Sequence, residues 1–358
     1  MKLLPGLLAV CLLLTGCGGL PYPREMGDMA LLRTMGVDRE ARGLTVTVST
    51  GLRARGLQGE TEEPLVLSAA RPSLDGACLA MQGQSDSYVY FGYVDQLLLG
   101  EELARESVLP ALDYFARDRE LGLGARLWVV RGTRAETAVR AGEERGVDQR
   151  LETLRTDGEM GAALLSRTAG EVYADLLERG SAYVPALSPA GEGSAALEER
   201  GYAVLRGERL VGFLDGEAAR GLELLVSQPE LDVIEAELEE NRAAVRVTGA
   251  RTVCRLASGG EESVELSLVC RVSAQLSEYD RPLDAGERER VTAMLEARES
   301  ARIQAALEQL QGWGTDCAGL GPRGALISPG LWQRTADRWP QAFAQAEVRV
   351  QVRVSLHT

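Results

Sequence analysis

Cys17 carries the side chain in this sequence whose neighbours most clearly prepare it for a reaction. Leu14-Thr15-Gly16-Cys17 runs apolar, small, small, cysteine. That is the pattern of a lipobox, in which the sulfur takes up a diacylglyceryl group and the chain is cut just before the cysteine. Lys2 and the amino terminus form a positive start, and Leu3 to Gly16 an apolar stretch of 14 residues. A bilayer crossing needs about 20 apolar residues, so residues 1–16 read as a cleaved signal peptide and not as a lasting span. Residues 17–28 read as a lipidated tether, opening with the short flexible run Gly18 to Pro23. Each buried acyl methylene contributes on the order of 0.8 kcal/mol, and stable attachment takes more than one chain; a diacylglyceryl group meets that need. The expectation is a lipoprotein held on the extracytoplasmic face of a membrane through Cys17.

Other chemistry is sparse. His357 is the single histidine and stands one residue from the end, where a fraying terminus cannot preorganise a base. Ser-His-Asp and Cys-His constellations, and most catalytic zinc sites, therefore lack their histidine. Cys11 leaves with the leader and Cys17 carries lipid, so Cys78, Cys254, Cys270 and Cys317 remain. Their spacings contain no C-x-x-C or zinc pattern, and they read as free thiols, with a Cys78–Cys317 disulfide as the alternative. A hairpin turning at Gly259-Gly260 would set Cys254 opposite Glu265, out of disulfide reach of Cys270. Gly319-Leu320-Gly321-Pro322-Arg323-Gly324 satisfies G-x-G-x-x-G. It follows a helical pattern instead of a strand, and Pro322 removes an amide, so it reads as a turn-rich connector. Glu101-Glu102 and the set Glu235, Glu237, Glu239 and Glu240 read as solvated helix or turn acids. Trp313, Trp332 and Trp339 read as packing of a helix onto the last sheet. No catalytic, cofactor-binding or metal-ligating residue emerges, no cofactor and no direct small-molecule ligand are expected, and the reading is of a protein that is not an enzyme.

An apolar fraction of 45% and a charged fraction of 26% are those of a folded globular chain. The formal charge of −14 argues against nucleic acid as a partner. It argues equally against a polybasic contact with anionic lipid. Beyond Lys2 and His357 every basic residue is arginine, and arginines scattered among so many acids read as forming no patch. Lipid and partner subunits would then hold the protein at its membrane.

The elements that must carry these residues follow from apolar periodicity. Met29 to Asp38 opens the structured chain, and Leu44, Val46 and Val48 alternate as a strand. Gln96 to Leu99 is a strand, Glu101-Glu102 start a helix that Pro110 kinks or splits, and Leu127 to Val130 is a buried strand. Residues 29–190 read as a mixed α/β domain. Pro185 to Pro189 and Gly191 to Gly193 read as a linker or exposed loop. Residues 191–227 hold that linker and a hairpin, Tyr202 to Leu214, leaning towards a small middle domain of its own. Residues 228–358 read as an α+β domain. Its strands include 243–256, 264–276 and a last strand alternating Val348 to Leu356, and its long helix is capped by Asp284 with Glu287. The fold class is α+β, multi-domain, with antiparallel-rich sheets and helices packed on one face.

Four stretches in order resemble the Ger(x)C family of spore germination lipoproteins, the C subunits of nutrient germinant receptors. The first is Arg24-Glu25 with Asp28, the apolar run and Gly36-Val37-Asp38. The second runs from Tyr90-Phe91-Gly92-Tyr93 through Gly100-Glu101-Glu102 and Leu112 to Asp118, ending at Leu127 to Gly132. The third is Tyr202 to Leu214 with Arg220-Gly221. The fourth joins Gln309, Asp316, Gly319 and Gly321 to Pro329, Trp332, Trp339 and Phe343. Members usually carry a histidine where this chain has Tyr93. The resemblance implies mixed α/β domains and a place on the outer surface of the inner spore membrane. It also implies two membrane-spanning partners, an A subunit linked to ion release and a transporter-like B subunit expected to bind nutrient. A solute-binding lipoprotein delivering a nutrient to a transporter is the alternative, and it predicts two similar lobes.

Overall fold

The computed structural model describes residues 29–51, 53–55, 60–141, 146–159, 164–190, 197–228, 232–238, 241–259 and 263–357. The leader, Cys17, Glu239 and Glu240 lie outside the described residues. The first strands are β1 (Met29–Leu31), β2 (Thr34–Glu40), β3 (Gly43–Ser49), β4 (Arg53–Arg55), β5 (Glu60–Glu62) and β6 (Val66–Arg71). Helix α1 (Leu74–Gln82), β7 (Tyr88–Tyr90) and β8 (Gln96–Gly100) follow, then α2 (Glu101–Glu106), α3 (Leu109–Arg117) and β9 (Arg126–Val130). Next come α4 (Ala135–Arg140), α5 (Val147–Glu159), α6 (Ala169–Arg179), β10 (Ser181–Pro189), β11 (Leu197–Arg206), β12 (Arg209–Leu214) and α7 (Gly216–Leu225). The remainder is β13 (Asp232–Leu238), β14 (Asn241–Ser258), β15 (Val264–Tyr279), α8 (Ala285–Gly312), α9 (Leu320–Ala325), α10 (Pro329–Thr335), α11 (Trp339–Gln345) and β16 (Glu347–His357).

One sheet has eight strands in the order β12-β11-β10-β9-β8-β2-β3-β6. Its centre, β10-β9-β8-β2, is parallel, and the antiparallel pairs β11-β12 and β3-β6 flank it. The central strands are buried along most of their length because both faces are covered. Leu74, Leu103, Leu112, Phe115 and Val172 from α1, α2, α3 and α6 pack one face. Ala135, Val139, Leu151 and Leu154 from α4 and α5 pack the other. Pro110 divides the helix as the sequence suggests: α2 ends at Glu106, and Pro110 sits in the first turn of α3, where its missing N–H costs nothing.

Two sequence expectations fail in this sheet. Pro185 to Pro189 is not a loop but the buried second half of β10, with Ala186 and Leu187 beside Val129 and Val130. The prolines are tolerated because the β10-β11 register shifts between Pro185 and Leu187 and the strand ends at Pro189. The hairpin β11-β12 is no separate middle unit either; it forms the edge of the eight-stranded sheet.

The carboxy-terminal sheet is β13-β14-β15-β16, antiparallel except that β16 runs parallel to β15. The last strand thus joins the sheet of the 264–276 strand, as its alternation suggests. Val291, Leu295, Ile303, Ala306, Leu307 and Leu310 of α8 join one core with the inward residues of that sheet. The α8 start is the expected capping box: Glu287 N–H donates to Asp284 Oδ1 at 2.8 Å and Asp284 N–H to Glu287 Oε2 at 3.0 Å. The β14-β15 register differs from a turn at Gly259-Gly260, since Ser258 pairs with Val264. Cys254 therefore faces Leu268 and Cys270 faces Thr252, and all four described cysteines are buried free thiols. Glu235 and Glu237 sit on a strand, not on a helix or turn. His357 is not frayed; it is an exposed residue of β16 opposite Gln275.

Candidate functional site

Strand β8 feeds α2 on one face of the large sheet, and its neighbour β9 feeds α4 on the other. Where successive helices part to opposite faces, a crevice opens at the carboxyl ends of parallel strands. Here it has a volume of about 610 Å³ and is lined by Asp38, Arg39, Glu101, Arg105, Thr133 and Arg134, among others.

Asp38 organises its floor. The side chain is 4% exposed, and its two oxygens accept the Ala135 and Glu136 amides, each at 2.8 Å. Those amides open α4, whose own N-cap residue, Arg134, supplies no side-chain bond. An acid 97 residues away in sequence does the capping instead. Burial pushes the Asp38 carboxyl up, while the Glu136 and Ala135 amides and Arg134 pull it down. Two glycines make room. A Cβ on Gly100 would collide with Asp38 Oδ1, and one on Gly36 would press on Ala135 and Val139 at 3.0–3.2 Å. Gly132 turns at φ +72° and donates its N–H to Glu101 Oε2 at 3.0 Å. The rim charges pair with one another: Arg105 with Glu101 at 2.6 Å, Arg134 with Glu40 at 2.5 Å, and Arg39 with Glu106. Gly36, Asp38, Gly100, Glu101 and Gly132, drawn from two separate motifs, therefore meet at one seam. Its acids are engaged as caps and ion pairs, an arrangement suited to holding the helices in place. Tyr93 is elsewhere, half exposed and edge-on to Tyr90 at 5.8 Å.

The glycine motif at 319–324 is filled from within. Gly319 caps α9 in the left-handed region at φ +67°. The Leu320 and Gly321 amides that a phosphate would need donate to the Asp316 carboxylate, both at 2.8 Å. Trp339 Nε1 donates to the same carboxylate at 2.9 Å, and Trp332 packs edge-on to Trp339 at 5.2 Å. A Cβ at Gly321 would run into both rings, and Trp313 leaves no room for one at Gly212 of β12. Trp332 and Trp339 thus pack together, whereas Trp313 lies against β12 of the larger sheet and not on the last sheet as expected, and Asp316 is the buried anion bonded by Trp339. Sequence reasoning missed that role, although an acid just before a glycine-capped helix was its signal. It also missed Arg302, 5% exposed, whose guanidinium meets Glu217 and Asp232 at 2.7 Å and Glu299 at 3.0 Å. This cluster ties α8 to α7 and β13.

The arginines do form a patch, contrary to expectation. On the outward face of the C-terminal sheet, Arg251, Arg271 and Arg353 stand directly opposite one another on β14, β15 and β16. Arg255 and Arg349 flank Ser267 in a second row, and Arg246 and His357 flank Gln275 in a third. The acidic character of the whole chain conceals this because the alternation of each strand sends only every second residue outward.

Comparison with known proteins fits this architecture. The family described as Spore germination protein N-terminal domain matches residues 23–189. The one described as Spore germination B3/ GerAC like, C-terminal matches residues 200–358. The second match contributes most of β11 and all of β12, which complete the sheet of the first. A protein of Bacillus subtilis (strain 168) named as a spore germination protein, YfkR, is 23% identical over 372 residues, covering 96% of this chain and 92% of its own. The crystal structure of the GerBC protein shares the fold with a TM-score of 0.62 at 16% identity, over 95% of this chain and 99% of that one. Among the described residues no helix is long and apolar enough to cross a membrane. Matched in order over nearly its whole length, the chain belongs to the GerAC, or Ger(x)C, family of spore germination proteins.

Proposed function

We propose that this chain is the lipid-anchored C subunit of a spore nutrient germinant receptor. It acts without catalysis, docking on the membrane-spanning A and B subunits at the outer surface of the inner spore membrane. Receptor assembly and the germination response depend on it. The observation that carries this reading is the pair of family matches running in order from residue 23 to 358, directly behind the lipobox at Leu14 to Cys17. The buried acids support it, since Asp38, Asp316 and Glu299 are each engaged with amides or arginine. A solute-binding lipoprotein would need two similar lobes. An eight-stranded mixed sheet and a four-stranded sheet are unlike, which weighs against that alternative.

Intact mass and amino-terminal peptide analysis of protein taken from spore membranes tests the anchor. The expected result is a mature chain starting at Cys17 with a diacylglyceryl thioether, and loss of nutrient germination in Cys17→Ala spores. A bare thiol on the native protein, or normal germination of Cys17→Ala spores lacking any redundant receptor, would contradict the proposal.

A further inference from the structure

The outward face of β14, β15 and β16 presents an ordered array of cations. Arg246, Arg251, Arg255, Arg271, Arg349 and Arg353 all point to solvent and are exposed. Across the strands the row Arg251, Arg271, Arg353 repeats at the strand spacing of about 4.8 Å, and four residues separate it from the Arg255/Arg349 row, about 13 Å along the strands. Like charges directly opposite one another destabilise a sheet. Arg349 is neutralised by Glu265 at 3.0 Å and Glu347 at 3.2 Å. Among the described residues, Arg246, Arg251, Arg255 and Arg271 have no carboxylate partner. The acids of this face lie at its two ends, Glu265 and Glu347 at one and Glu235, Glu237 and Glu278 at the other, so the middle rows keep an uncompensated repulsion and are complementary to an anionic surface outside the molecule.

We propose that this sheet face docks on the anionic phospholipid headgroups of the membrane, as a second contact besides the lipid on Cys17. Three features favour a lipid surface as the occupant. The array is three strands wide and several rows deep, matching many phosphates spread over a surface better than one small anion. The guanidinium fork binds phosphate oxygens in pairs. The side chains within and between the rows include Val253, Val269, Ser267, Ser273, Gln275 and Gln351, without the aromatic anchors that concentrate binding energy in protein interfaces. The charge of −14 does not oppose the contact. Screening limits what the membrane senses to about 8–10 Å near physiological salt, so in the docked pose it senses this face alone, while an acidic face brought that close would be repelled, and that difference fixes the orientation. The proposal deepens the membrane-side reading above, and its test separates the two.

The test is vesicle sedimentation of the leader-free chain carrying Cys17→Ala, so that no acyl group contributes. Vesicles of phosphatidylcholine alone are compared with vesicles containing phosphatidylglycerol, at low and at high salt. Binding is expected only with phosphatidylglycerol, falling as salt rises, and falling about a hundredfold in the triple variant Arg251→Ser, Arg271→Ser, Arg353→Ser. All three positions are exposed and repel one another, so the variant should fold at least as stably; its thermal unfolding checks this. A control triple variant, Arg71→Ser, Arg117→Ser, Arg119→Ser, removes the same charge from exposed positions away from this face and should bind as the parent does. Equal binding to neutral and anionic vesicles, no loss in the triple variant, or binding to polyglutamate but not to anionic vesicles would overturn the proposal. Because the anchor is absent throughout, such a failure would leave lipidation of Cys17 untouched.

Discussion

Replacing Asp38 by alanine removes both acceptors for the first amides of α4, and the structure allows the cost to be worked out. The carboxylate accepts two N–H groups at 2.8 Å in a site where it is 4% exposed. Hydrogen bonds to a charged group contribute roughly 1.5–3 kcal/mol each. Part of that is offset, because the variant no longer buries a carboxylate whose pKa burial has raised. The net loss is about 2–4 kcal/mol. Urea unfolding of the leader-free chain followed by circular dichroism would report it as a lowered midpoint. Amide exchange at Ala135 and Glu136 should speed up about thirtyfold to a thousandfold. Gly100→Ala gives the complementary test, since its Cβ would collide with Asp38 Oδ1. Alone it should cost a comparable amount by displacing the cap; combined with Asp38→Ala it should add little, because the collision is gone. Strict additivity, or a loss below about 0.5 kcal/mol for Asp38→Ala, would refute the role assigned to this seam.

Arg302→Met should destabilise by about 3–5 kcal/mol, as it strands the 1%-exposed Glu299 beside Asp232. Adding Glu299→Gln should recover a measurable part in chemical denaturation. Glu199 gives a pH prediction: burial pushes its carboxyl from the usual 4.5 up to about 7, against the pull of the Leu164 amide. The folded chain then binds more protons than the unfolded one between those values, so stability falls as pH rises through this window and is lowest above it. Glu199→Gln should remove this group's share of the slope and gain on the order of 2 kcal/mol at pH 8, visible as a melting temperature that drops less than the parent's between pH 5 and 8.

How far the sequence could be read depended on how local each determinant was. The alternation of β14, β15 and β16, the Asp284/Glu287 box and the division at Pro110 are set by near neighbours, and all are where the pattern places them. Pro185 to Pro189 looked like a linker because local signals favour a turn, whereas burial between β9 and β11 decides the strand. Asp38 could not be recognised as a cap when its helix begins 97 residues later. Asp316 was hidden for a different reason, since the literal glycine motif drew attention to an external anion when the anion was internal. The arginine rows need three strands in register before they exist at all. Average charge carries no information about that alignment.

The most direct test of a receptor role is to recover the tagged native chain from spore inner membranes in mild detergent and quantify what accompanies it by mass spectrometry. Two multi-span proteins, the A and B subunits, should be recovered in amounts comparable to the chain itself, and both should be depleted from membranes of spores that lack it. Recovery of the chain alone, with multi-span subunits at undiminished levels in its absence, would contradict the account.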